Sequence, residues 1–208
     1  MPPSDPWAVL DLCQGRRSRN SRRVAVLLAH FLFLACFLAG PRAAAQDALP
    51  EYQVKAAYLF NFFKFVEWPQ DSFGDPTTPV VIGVVGEDPF GTTLPVVIAG
   101  KTVQGRELVF RKYYVGEDLR GAHILFISAS EKKRLPAILL SLRGSWVLTV
   151  SDVDGFLDQG GMIQFVNEND RIRFAINLSA TSQANLKMSS KLLSLAKLVG
   201  GNVKVASQ

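Results

Sequence analysis

The chain has 208 residues, 48% hydrophobic and 20% charged, with 23 Lys plus Arg against 18 Asp plus Glu and a formal net charge of +5. Six of those basic residues and two of the acidic ones fall in the first 45 positions, leaving 17 against 16 beyond them, so no strongly basic surface for nucleic acid or anionic lipid is expected there. Both cysteines and one of the two histidines also fall in that first segment, which removes disulfides, thiol nucleophiles and the common His/Cys zinc sites from consideration for the rest.

The amino terminus carries a basic cluster at Arg16, Arg17, Arg19, Arg22 and Arg23, an apolar run over 24–39 and the small residues Ala43, Ala44 and Ala45. This is the layout of a secretory signal. Residues 1–45 are predicted to be a signal peptide cleaved near Ala45, leaving 46–208 as a single domain working outside the cytoplasmic membrane. The apolar run is shorter than the roughly 20 residues that span a bilayer, which disfavours an uncleaved anchor. Ser21, Arg22 and Arg23 hint at twin-arginine export, Ala25 weakens the hint, and both that route and Sec stay open.

In chain order, 51–67 reads as a helix ended by Trp68 and Pro69, because the residue before proline is pushed out of the helical region. At 100° per residue its apolar arc covers about two-thirds of the circumference, against roughly 100° for a helix with one buried face. The excess is expected either to be wedged within the domain or to leave Phe60, Phe63 and Trp68 partly exposed as contacts for a partner protein. The run 80–85 is β-branched and apolar, as in a strand buried on both faces. A helix over 88–98 is expected next, weakened by Gly91 and Pro95, then two strands about a turn at Gln104 and Gly105, the longer over 107–113.

Another buried strand is predicted over 124–127, a helix over 131–142 with Ser128 and Glu131 spaced as a capping box, and a third buried strand over 146–150. The segments 162–166 and 171–177 alternate apolar and polar about a turn at 167–170, the pattern of an antiparallel hairpin. A last helix is expected over 190–199. The fold class is therefore α/β, a mostly parallel sheet flanked by helices on both faces with an antiparallel hairpin extension.

Candidate sites are few. His123 opens a buried run and reads as a strand-edge histidine; without a Gly-x-Ser-x-Gly elbow it has no nucleophile to serve. Glu87 and Asp88 follow the first buried strand, where open parallel sheets bind ligands, yet they also read as ordinary helix-start acids. Asp152, Asp154 and Asp158 lack the spacing of a calcium loop and read as a turn. Arg171 and Arg173, two apart on one strand, point to one face and could clamp a carboxylate or phosphate. No catalytic group, metal or cofactor is expected, and a homodimer is one assembly left open.

Several segments together resemble the YfiR-like family of periplasmic proteins: KAAYLFNFFKFVEWP at 55–69, GVVGEDPF at 83–90, HILFIS at 123–128, LTVSD at 148–152 with Gly155 and Phe156, GGMI at 160–163, RIRFAIN at 171–177 and SSKLL at 189–193. Their order and spacing make the resemblance specific. It implies an exported repressor that binds the periplasmic sensor domain of a membrane diguanylate cyclase, lowering cyclic di-GMP and biofilm formation. Some relatives carry cysteine pairs that this chain lacks, so disulfide control is not implied. The alternative is a periplasmic small-molecule receptor without a cyclase partner, its ligand held by Arg171 and Arg173.

Overall fold

The structure, a computed structural model, describes residues 48–200 apart from Pro76 and Val115. The expected leader lies outside the described residues.

Helix α1 spans Ala48–Phe65 and lies against one face of the sheet. It stops two residues sooner than the sequence suggests, because Val66–Glu67 (β1) becomes extended and pairs antiparallel with Lys187–Met188 (β9). The main sheet is built from β2 (Val80–Val85), β3 (Thr102–Val103), β4 (Arg106–Tyr113), β5 (Ile124–Ile127), β6 (Leu148–Ser151), β7 (Ile163–Glu168), β8 (Arg171–Asn177) and β10 (Lys197–Val199). Among the described residues these run in the order β10-β8-β7-β6-β5-β2-β4-β3. The pairs from β4 through β2, β5 and β6 to β7 are parallel, while β7 and β8 form the expected antiparallel hairpin. Asn169 and Asp170 close that hairpin at φ 51° and 58°, a left-handed conformation that Asn and Asp tolerate better than other side-chain-bearing residues.

Strand alternation divides the interior into two cores. Ile82, Val84, Ile124, Phe126, Val150 and Phe174 face α1 and the short helix α2 (Thr93–Ile98). Val85, Leu125, Ile127 and Ala175 face the other way, toward α3 (Leu135–Ser141) and the turn holding Phe156. Helices therefore cover both faces, as a parallel sheet requires. Most of the apolar excess of α1 is consumed inside the domain. Tyr58 and Phe62 pack on Phe165 and Phe174 with ring centroids 5.3–6.0 Å apart, and each fully buried Phe contributes about 1.5–3 kcal/mol.

Three expected elements are corrected. The helix forecast over 88–98 occupies only Thr93–Ile98, because the Asp88 carboxylate accepts from the Phe90 N–H at 2.8 Å and holds a turn there instead. The helix forecast over 131–142 breaks into a 3₁₀ turn at Ala129–Glu131 followed by α3. Ser128 makes no side-chain cap, since the Glu131 N–H donates to the Ser128 carbonyl at 2.9 Å instead, and the buried Glu131 carboxylate pairs with Arg134, Oε2 to Nε 2.9 Å. The final helix covers only Ser190–Leu193 (α5), and Lys197–Val199 instead forms β10, parallel to β8. A further helix, α4 (Leu178–Gln183), is capped by the Asn177 side chain accepting from the Ala180 N–H.

Candidate functional site

Helix α1 runs across the sheet from the C-terminal ends of the strands to their N-terminal ends, and it is fixed at both. At the first, the Lys55 ammonium meets Asp152 Oδ2 at 2.6 Å and Glu51 Oε1 at 2.5 Å. The Tyr52 hydroxyl donates to the same Asp152 oxygen at 2.9 Å. Lys55 is buried, with its side chain 4% exposed, and Asp152 is 14% exposed. A charge placed so deeply is tolerated only when paired and hydrogen-bonded. Burial and the neighbouring Asp152 charge push the Tyr52 phenol well above its ordinary pKa, so it serves as a donor throughout the physiological range. Asp152 is thus a structural counter-ion, and Asp154 and Asp158 are exposed turn residues. No group of three metal-capable side chains exists among the described residues.

At the other end, Phe63 stacks flat on Trp68, with ring centroids 4.3 Å apart and planes 7° from parallel. Trp68 Nε1 donates to the Trp146 carbonyl at 2.9 Å. The expected exposure of Phe63 is corrected, since only 2% of it is accessible: its ring is covered by Trp68 and lies near His123, centroids 6.1 Å apart. Phe60 and Trp68 are half-buried. The ammonium groups of Lys64 and Lys101 each stand 4.4 Å from the centre of the Phe60 ring, leaving an aromatic edge between two cations. Beside it α1 packs on α2, and the two helices expose Val54 and Val96, the latter 72% accessible.

His123 stands at the N-terminal edge of β5, as expected, and is buried. Its backbone N–H donates to Val81 O and its carbonyl accepts from Leu148 N, each at 2.9 Å, while Nδ1 accepts from the Val81 N–H at 3.1 Å. Nε2 is buried without a hydrogen-bond partner, and Phe73 stacks on the ring at 5.1 Å. Burial pushes its pKa below the ordinary value, and the charge of Arg106 acts in the same direction. His123 lines a cavity of about 450 Å³ at the N-terminal ends of β2, β5 and β6, with Phe73, Trp146, Arg120 and Arg143. The sequence does not single out those last four. They stand far apart in the chain, and only the parallel order of the sheet brings them together.

Arg171 and Arg173 do share one side of β8, but both are exposed and neither lines any of the three cavities described. Alternation turns Ile172 toward a groove beside Lys55 and sends the arginines to the opposite face, with Arg171 across from Glu168. Glu87 is exposed and its backbone N–H donates to Ser130 Oγ at 2.9 Å. The crevice beside it is filled: a Cβ at Gly86 would lie 2.5 Å from Ser130 Oγ and 2.7 Å from Glu131 Cγ. The usual ligand position of an open parallel sheet is thus occupied by the protein's own side chains.

No helix among the described residues is long and apolar enough to cross a membrane. No functionally curated protein matches the chain. Among solved structures it is similar to a conserved domain protein from Vibrio cholerae O1 biovar El Tor, with 9% identity, a TM-score of 0.48 and 71% of this chain covered. The matched region spans 59% of that protein's length. A family model described as YfiR/HmsC-like matches residues 52–197, from the first turns of α1 to the start of β10, and the chain belongs to that family.

Proposed function

We propose that this protein is an exported, non-catalytic regulator that binds the periplasmic sensor domain of a membrane diguanylate cyclase and represses it, lowering cyclic di-GMP and biofilm formation. Membership of the YfiR/HmsC-like family supports the reading. The observation that carries it is Phe60, a half-buried aromatic of α1 bracketed by Lys64 and Lys101, on a helix that packs on α2, which exposes Val96. Aromatic anchors with a charged rim are characteristic of binding surfaces. The partner surface that complements this one is apolar with carboxylates at its edge. Trp68 is the second contact, and Phe63 supports it from beneath. Repression follows if the regulator binds the inactive state of the sensor domain more tightly than the active one, and its release then switches synthesis on.

Capture of the periplasmic segment of a cyclase encoded beside this gene tests the proposal. Phe60→Ala is expected to weaken capture by about 30-fold, the effect of losing a hot spot of roughly 2 kcal/mol, with little change in melting temperature. Lys64→Glu combined with Lys101→Glu is expected to weaken it further at low salt than at high salt. Failure of the unaltered protein to capture the segment, or equal capture by both variants, removes the proposal.

A further inference from the structure

The cavity beneath Phe73 and Trp146 has a chemistry that the regulator's outer surface does not explain. Two arginines, Arg120 and Arg143, line it and no carboxylate does. Arg120 donates from Nε and Nη2 to the Ser141 carbonyl at 3.3 and 3.2 Å. That contact orients the guanidinium while leaving further N–H groups for a ligand. Arg143 forms no ion pair among the described residues. Two unneutralised guanidinium groups beside a concave surface attract an anion and match a carboxylate or phosphate in geometry.

His123 supplies the second, independent sign. With Nδ1 accepting from the Val81 N–H, the neutral ring carries its proton on Nε2, a buried donor that makes no hydrogen bond of ordinary geometry, with the Ser72 carbonyl as its nearest backbone acceptor. Buried polar groups are nearly always satisfied, and a donor so poorly served behind a cavity wall leaves room for a better acceptor. Trp146 adds a flat apolar wall, while the Phe73 ring is already taken up by His123 stacked on it and by the Arg106 guanidinium 4.7 Å from its centre. A volume of about 450 Å³ falls within the range of small-molecule sites.

We infer that this cavity binds a small organic anion, its carboxylate or phosphate held by Arg120 and Arg143 and its flat apolar body set against Trp146. The site is distinct from the one expected at Arg171 and Arg173, which line none of the three cavities described. It does not depend on the partner surface at Phe60, so either assignment can fail while the other stands.

Trp146 lines the cavity and Trp68 is hydrogen-bonded to it, so tryptophan fluorescence of the exported protein reads the site directly. Benzoate and phenyl phosphate serve as probes, with benzyl alcohol as the neutral analogue of the same body. Saturable quenching by at least one anion is expected, with at least tenfold weaker response to benzyl alcohol. The preferred anion separates a carboxylate from a phosphate ligand. Arg120→Ala combined with Arg143→Ala is expected to weaken anion binding at least tenfold, with the melting temperature unchanged because both side chains are exposed. Arg171→Ala combined with Arg173→Ala leaves it unchanged. The inference is overturned by no saturable response to either anion, by comparable affinity for benzyl alcohol, or by an Arg120/Arg143 double variant that binds like the unaltered protein.

Discussion

Removing the carboxylate of Asp152 should loosen α1 from the sheet, and the cost follows from the geometry. Asp152→Ala strands the Lys55 ammonium, whose side chain is 4% exposed, with only Glu51 for company. Breaking a buried pair in this way costs about 3–5 kcal/mol; the surviving Glu51 contact argues for the lower end, about 3 kcal/mol. For a domain of this size that corresponds to a fall in melting temperature of about 6–12 °C. Lys55→Met keeps the unbranched stem and deletes the charge, leaving Asp152 with the Tyr52 hydroxyl and some solvent, so about 2 kcal/mol is expected. The double variant removes both charges together and should cost little more than Asp152→Ala alone, a coupling of about 2 kcal/mol. Urea unfolding of the four proteins supplies the cycle. Single variants within 1 kcal/mol of the unaltered protein, or costs that simply add, would show that the pair does not hold the helix.

Stability should also depend on pH through His123. Because burial lowers its folded pKa below the ordinary 6.5, the unfolded chain takes up the proton first, and stability present above about pH 6.5 is lost as pH falls toward the folded value. His123→Asn keeps an acceptor for the Val81 N–H and should flatten that part of the curve in thermal melts from pH 7.5 to 5; an unchanged slope would assign it to other groups. Gly161→Ala should destabilise by about 1–3 kcal/mol, since a Cβ there would collide with the Phe156 ring, and denaturant melts that overlay those of the unaltered protein would refute the clash.

The strands that were plain in the sequence are those whose side chains are buried on both faces. The runs at β2 and β5 have no periodicity to misread, and composition alone makes them strands. The hairpin was legible because alternation on both sides of 167–170 admits one register. What went unread depended on distant partners. Leu195 and Leu198 continue the helical spacing begun by Leu192, yet three residues of β10 pair with Ala175, Ile176 and Asn177, and that ladder overrides local preference. The short α4 carries few apolar residues, and its signal was the capping Asn177.

The candidate sites divide in the same way. Lys55 and Asp152 each stood inside a quoted motif, a cation on an apolar helix and an acid after a buried strand, but nothing local announced that they were partners. Arg171 and Arg173 do lie on one side of a strand, and that side is exposed and lines none of the three cavities described. For Arg120 and Arg143 there was no local sign, because a cavity built by three strand ends and two loops exists only after the sheet has assembled.

The two attachments of α1 have a mechanical consequence. Eighteen residues of helix extend about 27 Å, bolted by ions at one extremity and by stacked rings at the other, so the rod cannot pivot unless one fastening lets go. Phe60, on the span between them, keeps a fixed height above the sheet. A disturbance at Trp146 would therefore reach that aromatic by displacing the whole rod, and not by bending it.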